Sequence, residues 1–249
     1  MKVISLNTWA GTVKEPLLDF LRSKKNEIDV FCFQEVLNGG REEAGKIFQD
    51  KTKLEYDLFP IMQEILPNYT SFFRPNFSNW IGLAIFVRKN FNVLDEGELF
   101  VYGSPIENFK KSFKFYPRNI QYVTININKK PITIINFHGL WSGKEKTDNK
   151  ERINQSKKIL NFMKGINNEF LICGDFNLEP NTESLKIIED FGLRNLIKDY
   201  SITSTRTSFY KYPVKFADYV LTSKGIKVKK FKILPDDVSD HATIYLELE

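Results

Sequence analysis

The feature that most constrains this chain is its density of short β-forming runs. Eleven segments rich in Val, Ile, Phe, Tyr or Thr lie at 2–7, 29–34, 69–74, 81–88, 92–101, 119–127, 131–137, 169–174, 216–222, 226–234 and 241–248 of a 249-residue sequence. Such side chains suit a pleated, half-buried surface, so each run is expected to be a strand. Eleven strands exceed one ordinary twisted sheet, so the expected fold class is α/β, with two packed sheets flanked by helices. Helices are expected at 15–26, 148–166 and 183–191, the last closed by Gly192. In 148–166 the residues Ile153, Ile159, Leu160, Met163 and Ile166 form one apolar stripe, and Asp148 with Glu151 resembles a capping box. No Pro/Gly/Ser-rich linker interrupts the pattern, so one domain is expected over 1–249.

Two βαβ units emerge from this order. A strand ending at Asn7 leads through a helix to a strand ending at Gln34 and Glu35, and a strand ending at His138 leads through 148–166 to one ending at Asp175 and Asn177. A crossover makes each pair parallel, so their polar ends share one sheet edge, where α/β proteins bind ligands.

Those ends carry the chemistry. Glu35 follows an apolar strand in FCFQEV and needs a cation or a proton there; a salt bridge to a basic neighbour is the plain alternative. In LICGDFN, Gly174 permits a turn while Asp175 and Asn177, two apart in an extended chain, can face the same side. A charged acceptor beside a neutral donor suits activation of water and stabilisation of an oxyanion, although an Asx-turn explains the same letters. FADYVL holds Asp218 in an apolar run, and SDHATIYLEL holds Asp240 and His241 before the last strand. Both histidines of the chain, His138 and His241, fall at strand edges among these groups. Oxygen donors favour a hard divalent cation, Mg²⁺ or Mn²⁺, over Zn²⁺, with Glu35 and Asp240 leaving positions to water and substrate phosphate. No Ser or Cys nucleophile elbow and no glycine-rich phosphate loop is present.

Composition excludes other classes. With 42% hydrophobic and 27% charged residues, the chain is neither disordered nor a coiled coil. Net charge is +5, which permits a phosphate-bearing partner without demanding one. No apolar run approaches the roughly 18–20 residues of a membrane span, and MKVISLNTW lacks the zones of a signal peptide. A cytoplasmic monomer is expected. Cys32 and Cys173 lie in apolar stretches and read as buried, reduced thiols.

Taken in order, LNTW, FQEV, NFHGLW, GDFN, ADYVL and SDHA across residues 3–248 resemble the endonuclease/exonuclease/phosphatase superfamily, the deoxyribonuclease I-like fold. The resemblance implies a four-layer α/β sandwich with its site at one mouth. It also implies a metal at Glu35 with Asn7 and Asp240 close by, and a water oriented or deprotonated by Asp175. Asn177 and His241 would hold phosphate oxygens, Asp218 would orient His241, and His138 would contact phosphate or assist the leaving group. A histidine in FHG, where exonuclease III-like members carry a tyrosine motif, points toward the deoxyribonuclease I, sphingomyelinase, deadenylase and tyrosyl-DNA phosphodiesterase branches.

Substrate choice falls to the loops. Residues 102–118 mix Lys110, Lys111, Lys114 and Arg118 with Phe109, Phe113, Phe115 and Tyr116, and 206–216 are similar. Such a mixture can hold phosphates and stack bases, so a nucleic-acid phosphodiester is the expected substrate. The alternative is a small phosphorylated metabolite, inositol phosphate or sphingolipid-type headgroup in a pocket closed by Trp141 and Tyr210. A binding protein that kept the fold and lost catalysis is the competing class, and the filled motif positions argue against it.

Overall fold

The computed structural model describes residues 1–43, 53–104, 116–127, 129–143 and 145–249. Its elements, in chain order, are β1 (Lys2–Asn7), α1 (Lys14–Lys24), β2 (Val30–Leu37), α2 (Leu58–Ile65), β3 (Tyr69–Phe77), β4 (Ile81–Arg88), β5 (Asn92–Tyr102), β6 (Arg118–Ile127) and β7 (Lys130–His138). They continue with α3 (Lys150–Lys164), β8 (Glu169–Asp175), α4 (Glu183–Glu189), β9 (Arg194–Asn195), α5 (Leu196–Asp199), β10 (Asp218–Thr222), β11 (Val228–Ile233) and β12 (Ile244–Leu248). Two six-stranded mixed sheets result, ordered β11-β12-β1-β2-β4-β3 and β5-β6-β7-β8-β10-β9. With helices on their outer faces they form the deoxyribonuclease I-like α/β sandwich.

Period-two alternation builds the layers. In β2, Val30 and Cys32 join the core between the sheets, while Phe31 and Phe33 turn outward to meet Leu17 and Leu21 of α1 and Met62 of α2. Burying such an aliphatic side chain contributes about 1.5–3 kcal/mol, and these stripes fix which face each helix presents. Cys32 and Cys173 are both free and buried, and burial pushes the Cys32 thiol well up.

The structure departs from the sequence reading in a few places. The two-residue β9 is too short to leave a pattern. Helix α2 carries Pro60, which reads as a breaker, yet Pro60 lies in the first turn, where no backbone N–H is needed. Helix α3 starts two residues later than expected: Asn149 caps it by accepting from the Arg152 amide at 2.8 Å. Asp148 instead accepts from the Glu183 and Ser184 amides at the start of α4, at 2.6 and 2.9 Å. The buried face of α3 is Arg152, Gln155, Ser156, Ile159 and Met163, whereas Ile153 and Leu160 are partly exposed and Ile166 lies beyond the helix. Polar groups displace the apolar stripe because this face must satisfy the backbone of the loop before it.

Both crossovers are parallel as expected. Asn7 pairs with Gln34, and His138 pairs with Asp175, while antiparallel β10 sets Asp218 opposite Asp175. The polar ends of both sheets therefore open on one mouth of the sandwich.

Candidate active site

Glu35 is not at a strand end, as the sequence suggested. Strand β2 continues to Leu37, and Glu35 occupies a bulge where pairing with β4 slips between Phe33 and Val36. Its φ of 54° is left-handed, a conformation costing a non-glycine residue about 1–3 kcal/mol. Such a bulge re-aims one side chain, here toward the mouth. Surrounding hydrogen bonds offset the strain. The Thr8 hydroxyl donates to the Gln34 and Glu35 carbonyls at 3.0 and 2.9 Å. From the opposite sheet, the fully buried Asn136 carboxamide donates to Phe33 O at 2.9 Å and Ala84 O at 3.3 Å. Asn136 Oδ1 accepts from Gln34 at 2.6 Å. Neither Thr8 nor Asn136 was singled out in the sequence, although both stand inside motifs quoted for their neighbours.

Asn7 links the two halves of the site. Its Nδ2 donates to Glu35 Oε1 and Asp175 Oδ2, both at 3.1 Å, and its Oδ1 accepts from the Trp9 amide at 2.9 Å. It presents N–H to both carboxylates and so spaces them, beside the group that could hold a metal ion. Asp175 follows Gly174, at which a Cβ would collide with the Phe137 carbonyl of the adjacent parallel strand. Asn177 is left-handed, with φ 53°, rather than extended. Its amide donates to Asp175 Oδ1 at 2.8 Å, which is the Asx-turn, and the same turn delivers both side chains to the pocket.

The two histidines differ sharply. His241 Nδ1 lies 2.8 and 2.9 Å from the Asp218 carboxylate oxygens, and its Nε2 lies 3.6 Å from Asp175 Oδ2. Burial opposes its charge, but Asp218 and Asp175 outweigh burial and hold the imidazole above its usual range. His138 Nε2 is 3.6 Å from Asp175 Oδ2 and 3.7 Å from Glu35 Oε1. Burial, with Arg118 nearby, drives it far below the usual range. Burial alone would raise Asp175, yet the cations His241 and Lys146 carry it far down, so it stays ionised. Glu35 is raised, first by burial and then by Asp240 and Asp175.

Two cations escaped the sequence reading. Lys146 is buried, and its Nζ donates to Asn177 Oδ1 while Asn177 Nδ2 donates to Gly139 O at 3.2 Å. The Asn177 carboxamide is thereby occupied within the protein, and the ammonium becomes the group facing the pocket. Arg206 Nη1 stands 3.5 Å from Asp240 Oδ2, which turns that carboxylate toward the guanidinium. A lysine in GKEK and an arginine opening a basic loop carry no signal that separates them from solvated charge. Burial alone distinguishes them.

The pocket, of about 770 Å³, is lined by these groups and by Trp9, Phe77, Tyr116, Arg118, Trp141, Tyr210 and Tyr212. Trp141 is an exposed rim residue. Tyr210 is half-buried beneath Arg206. Arg118 is buried and donates to Gly139 O at 2.9 Å. The remaining residues of the 102–118 loop that were expected to bind phosphate, Lys110, Lys111 and Lys114, and the stacking candidates Phe109, Phe113 and Phe115, lie outside the described residues.

Glu35, His138 and Asp175 bring one donor atom each within 4.8 Å of one another. Two carboxylates there, with Glu35 raised by burial and by its acidic neighbours, suit a hard divalent cation. Asp240 is at the pocket wall but outside that tight group.

A sandwich of two sheets whose mouth gathers carboxylates, carboxamides and histidines defines a hydrolase of phosphate esters. The sequence profile of the Endonuclease/Exonuclease/phosphatase family matches residues 4–241, and the chain belongs to that family. Its fold is shared with a mannosyl-6-phosphatase from Bacteroides thetaiotaomicron VPI-5482, at 19% identity and TM-score 0.76, covering 100% of this chain and 99% of that one. The human Nocturnin catalytic domain with a bound sulfate is similar at 18% identity and TM-score 0.68, covering 100% and 94%. Humanized D. rerio TDP2 is similar at 14% identity and TM-score 0.71, covering 100% and 98%. No curated protein sequence matches the chain. Among the described residues no helix is long and apolar enough to cross a membrane.

Proposed function

We propose that this protein hydrolyses a compact phosphate ester by direct attack of water, assisted by Mg²⁺ or Mn²⁺. The observation that carries this reading is the convergence of Glu35, Asp175 and the Asp218-held His241 on one pocket. Glu35 holds the cation, with the Asp175 carboxylate beside it. The cation, when bound, supplies positive charge to the phosphoryl oxygens as negative charge builds on them. Asp175 is a fixed acceptor that orients the attacking water, since a carboxylate so strongly ionised has little drive to take the proton outright. His241, charged and aligned by Asp218, donates Nε2 to a phosphoryl oxygen, and Lys146 adds a second donor. His138, held neutral, faces the same carboxylates and serves the phosphate or the departing oxygen. Asn7 and Asn177 keep the carboxylates and Lys146 in register.

A pocket of about 770 Å³ walled by Trp141, Tyr210 and Tyr212 favours a small ester over a polynucleotide. Arg118 lines the pocket with its Nε on Gly139 O, so its charge serves a small ester as well as a polynucleotide. Chelation with EDTA should abolish turnover of soluble phosphate esters, and Mg²⁺ should restore it. Turnover that survives chelation rejects the mechanism. Single-stranded DNA, duplex DNA and RNA assayed in parallel should be poor substrates, and efficient, salt-sensitive cleavage of any of them would reinstate the nucleic-acid reading.

A further inference from the structure

We propose that Arg206 anchors a third nonbridging oxygen of the reacting phosphate, which makes the substrate a terminal phosphomonoester rather than an internal diester. The inference rests on the hydrolase reading above. Arg206 lines the pocket with its side chain 6% exposed, and its backbone bridges that of His241. The guanidinium carbon stacks 4.0 Å from the Tyr210 ring centroid. Its Nε and Nη1 make no hydrogen bond among the described residues, and Asp240, at 3.5 Å, is an ion-pair neighbour. Buried polar groups are almost always satisfied, and an unsatisfied charged donor costs more than the about 1–3 kcal/mol of a neutral one. A buried guanidinium with hydrogen bonds unmade beside the pocket suits an anion.

Position points to the reacting phosphate as that anion. Arg206 lines the same pocket as Asp175, Lys146 and His241, the groups proposed to flank the attacking water and the phosphoryl oxygens, and its backbone bridges that of His241. The pocket therefore gathers several sources of positive charge: the cation Glu35 would hold, His241 with Lys146, the buried Arg118, and Arg206. A diester offers two nonbridging oxygens and one negative charge, and its remaining ester oxygen accepts weakly and carries a carbon arm. A terminal phosphate offers three nonbridging oxygens and up to two charges, and so answers more of these donors. In the reaction, the water oxygen bonds to phosphorus, the ester P–O bond breaks, the alcohol leaves with a proton, and inorganic phosphate remains.

The test uses p-nitrophenyl phosphate and its methyl diester, which share a leaving group, with Mg²⁺-loaded wild type, Arg206→Gln and Arg206→Lys. Calorimetric binding of inorganic phosphate is measured on the same proteins, and circular dichroism checks their folding. Wild type should favour the monoester in kcat/KM by at least about 100-fold. Arg206→Gln should lower that ratio by 10-fold or more and weaken phosphate binding to a similar degree, and Arg206→Lys should recover part of both, since the charge returns without the planar, multiply donating guanidinium. Equal or better turnover of the diester by wild type overturns the inference, as does a ratio or a phosphate affinity unchanged in Arg206→Gln. Absence of turnover on both esters, with phosphate binding still dependent on Arg206, overturns the hydrolase reading while upholding Arg206 as the terminal-phosphate anchor.

Discussion

The two parallel crossovers, β1-α1-β2 and β7-α3-β8, deliver residues to the same mouth by different means. The first relies on the backbone: a bulge and left-handed residues Trp9, Ala10 and Glu35, with the bulge locked by Thr8 and by Asn136 from across the sandwich. The second relies on side chains. Arg152 of α3 donates to the Leu140, Glu145 and Thr147 carbonyls, and Gln155 accepts from the Leu140 amide at 3.1 Å. That clamp shapes the loop carrying Trp141 and Lys146. One unit thus contributes Glu35, and the other contributes His138, Lys146 and Asp175, and Glu35, His138 and Asp175 together form the group that could hold a metal ion. The difference teaches that a carboxylate needing an exact direction is held by strained backbone, whereas a long cationic side chain is held by fixing the loop beneath it.

Where the two units meet, the largest effect is expected. Asp175→Asn should lower kcat by about 10²–10³, equivalent to about 2.7–4 kcal/mol, with an unchanged circular dichroism spectrum. Glu35→Ala should match it, so a small loss in either would separate that unit from the chemistry. Breaking the clamp comes next. Arg152→Met releases three carbonyls and should cost about 2–4 kcal/mol in urea unfolding, with a fall in kcat/KM as Lys146 loses its place. A stable variant of full activity would show that the loop holds itself.

Asp218→Ala and His241→Ala should each lower kcat by about 10²-fold, and the double variant should be no worse than the more severe single one, because the pair acts as a unit. Additive losses would assign the two residues separate roles. Breaking the first unit's lock should be milder: Asn136→Leu should cost about 1–3 kcal/mol and weaken Mn²⁺ binding by calorimetry. Gln121→Leu tests the same network one step further out. Gln121 bridges the sheets, donating to Phe72 O at 2.9 Å and accepting from the Asn136 carboxamide at 3.5 Å, so its loss should lower stability and weaken metal binding less than Asn136→Leu does.

The smallest effect is the contrast of the histidines, read by NMR on metal-free protein. His241 should titrate above the ordinary imidazole value and His138 below it. The signs of their contributions to stability are opposite. The favourable contribution of His241 is present below the unfolded value and is lost as pH rises through the raised folded one. His138 lowers stability as pH falls below the unfolded value, where the unfolded chain takes up a proton the folded site resists. Ordinary titration of both would remove Asp218 and burial as the agents of the difference.

Strand positions and their polar ends were legible because period-two patterning and a polar residue closing an apolar run are local properties. Register then carried Asn7 beside Gln34 and His138 beside Asp175 with no further information. Glu35, Asp218 and His241 were legible for the same reason, each being a polar group embedded in, or bordering, an apolar stretch. The bulge at Glu35, the inward turn of Lys146, the clamp of Arg152 and the buried, incompletely bonded guanidinium of Arg206 were not. In sequence a lysine or arginine in a loop is indistinguishable from one in solvent, since its burial depends on residues tens to hundreds of positions away. The sequence by itself pointed to the carboxylates, carboxamides and histidines of the mouth, though not to its cations Lys146 and Arg206. Tertiary structure decided their directions and the company of cations around them, because packing two sheets face to face removes water and forces every charge to find a partner or a ligand.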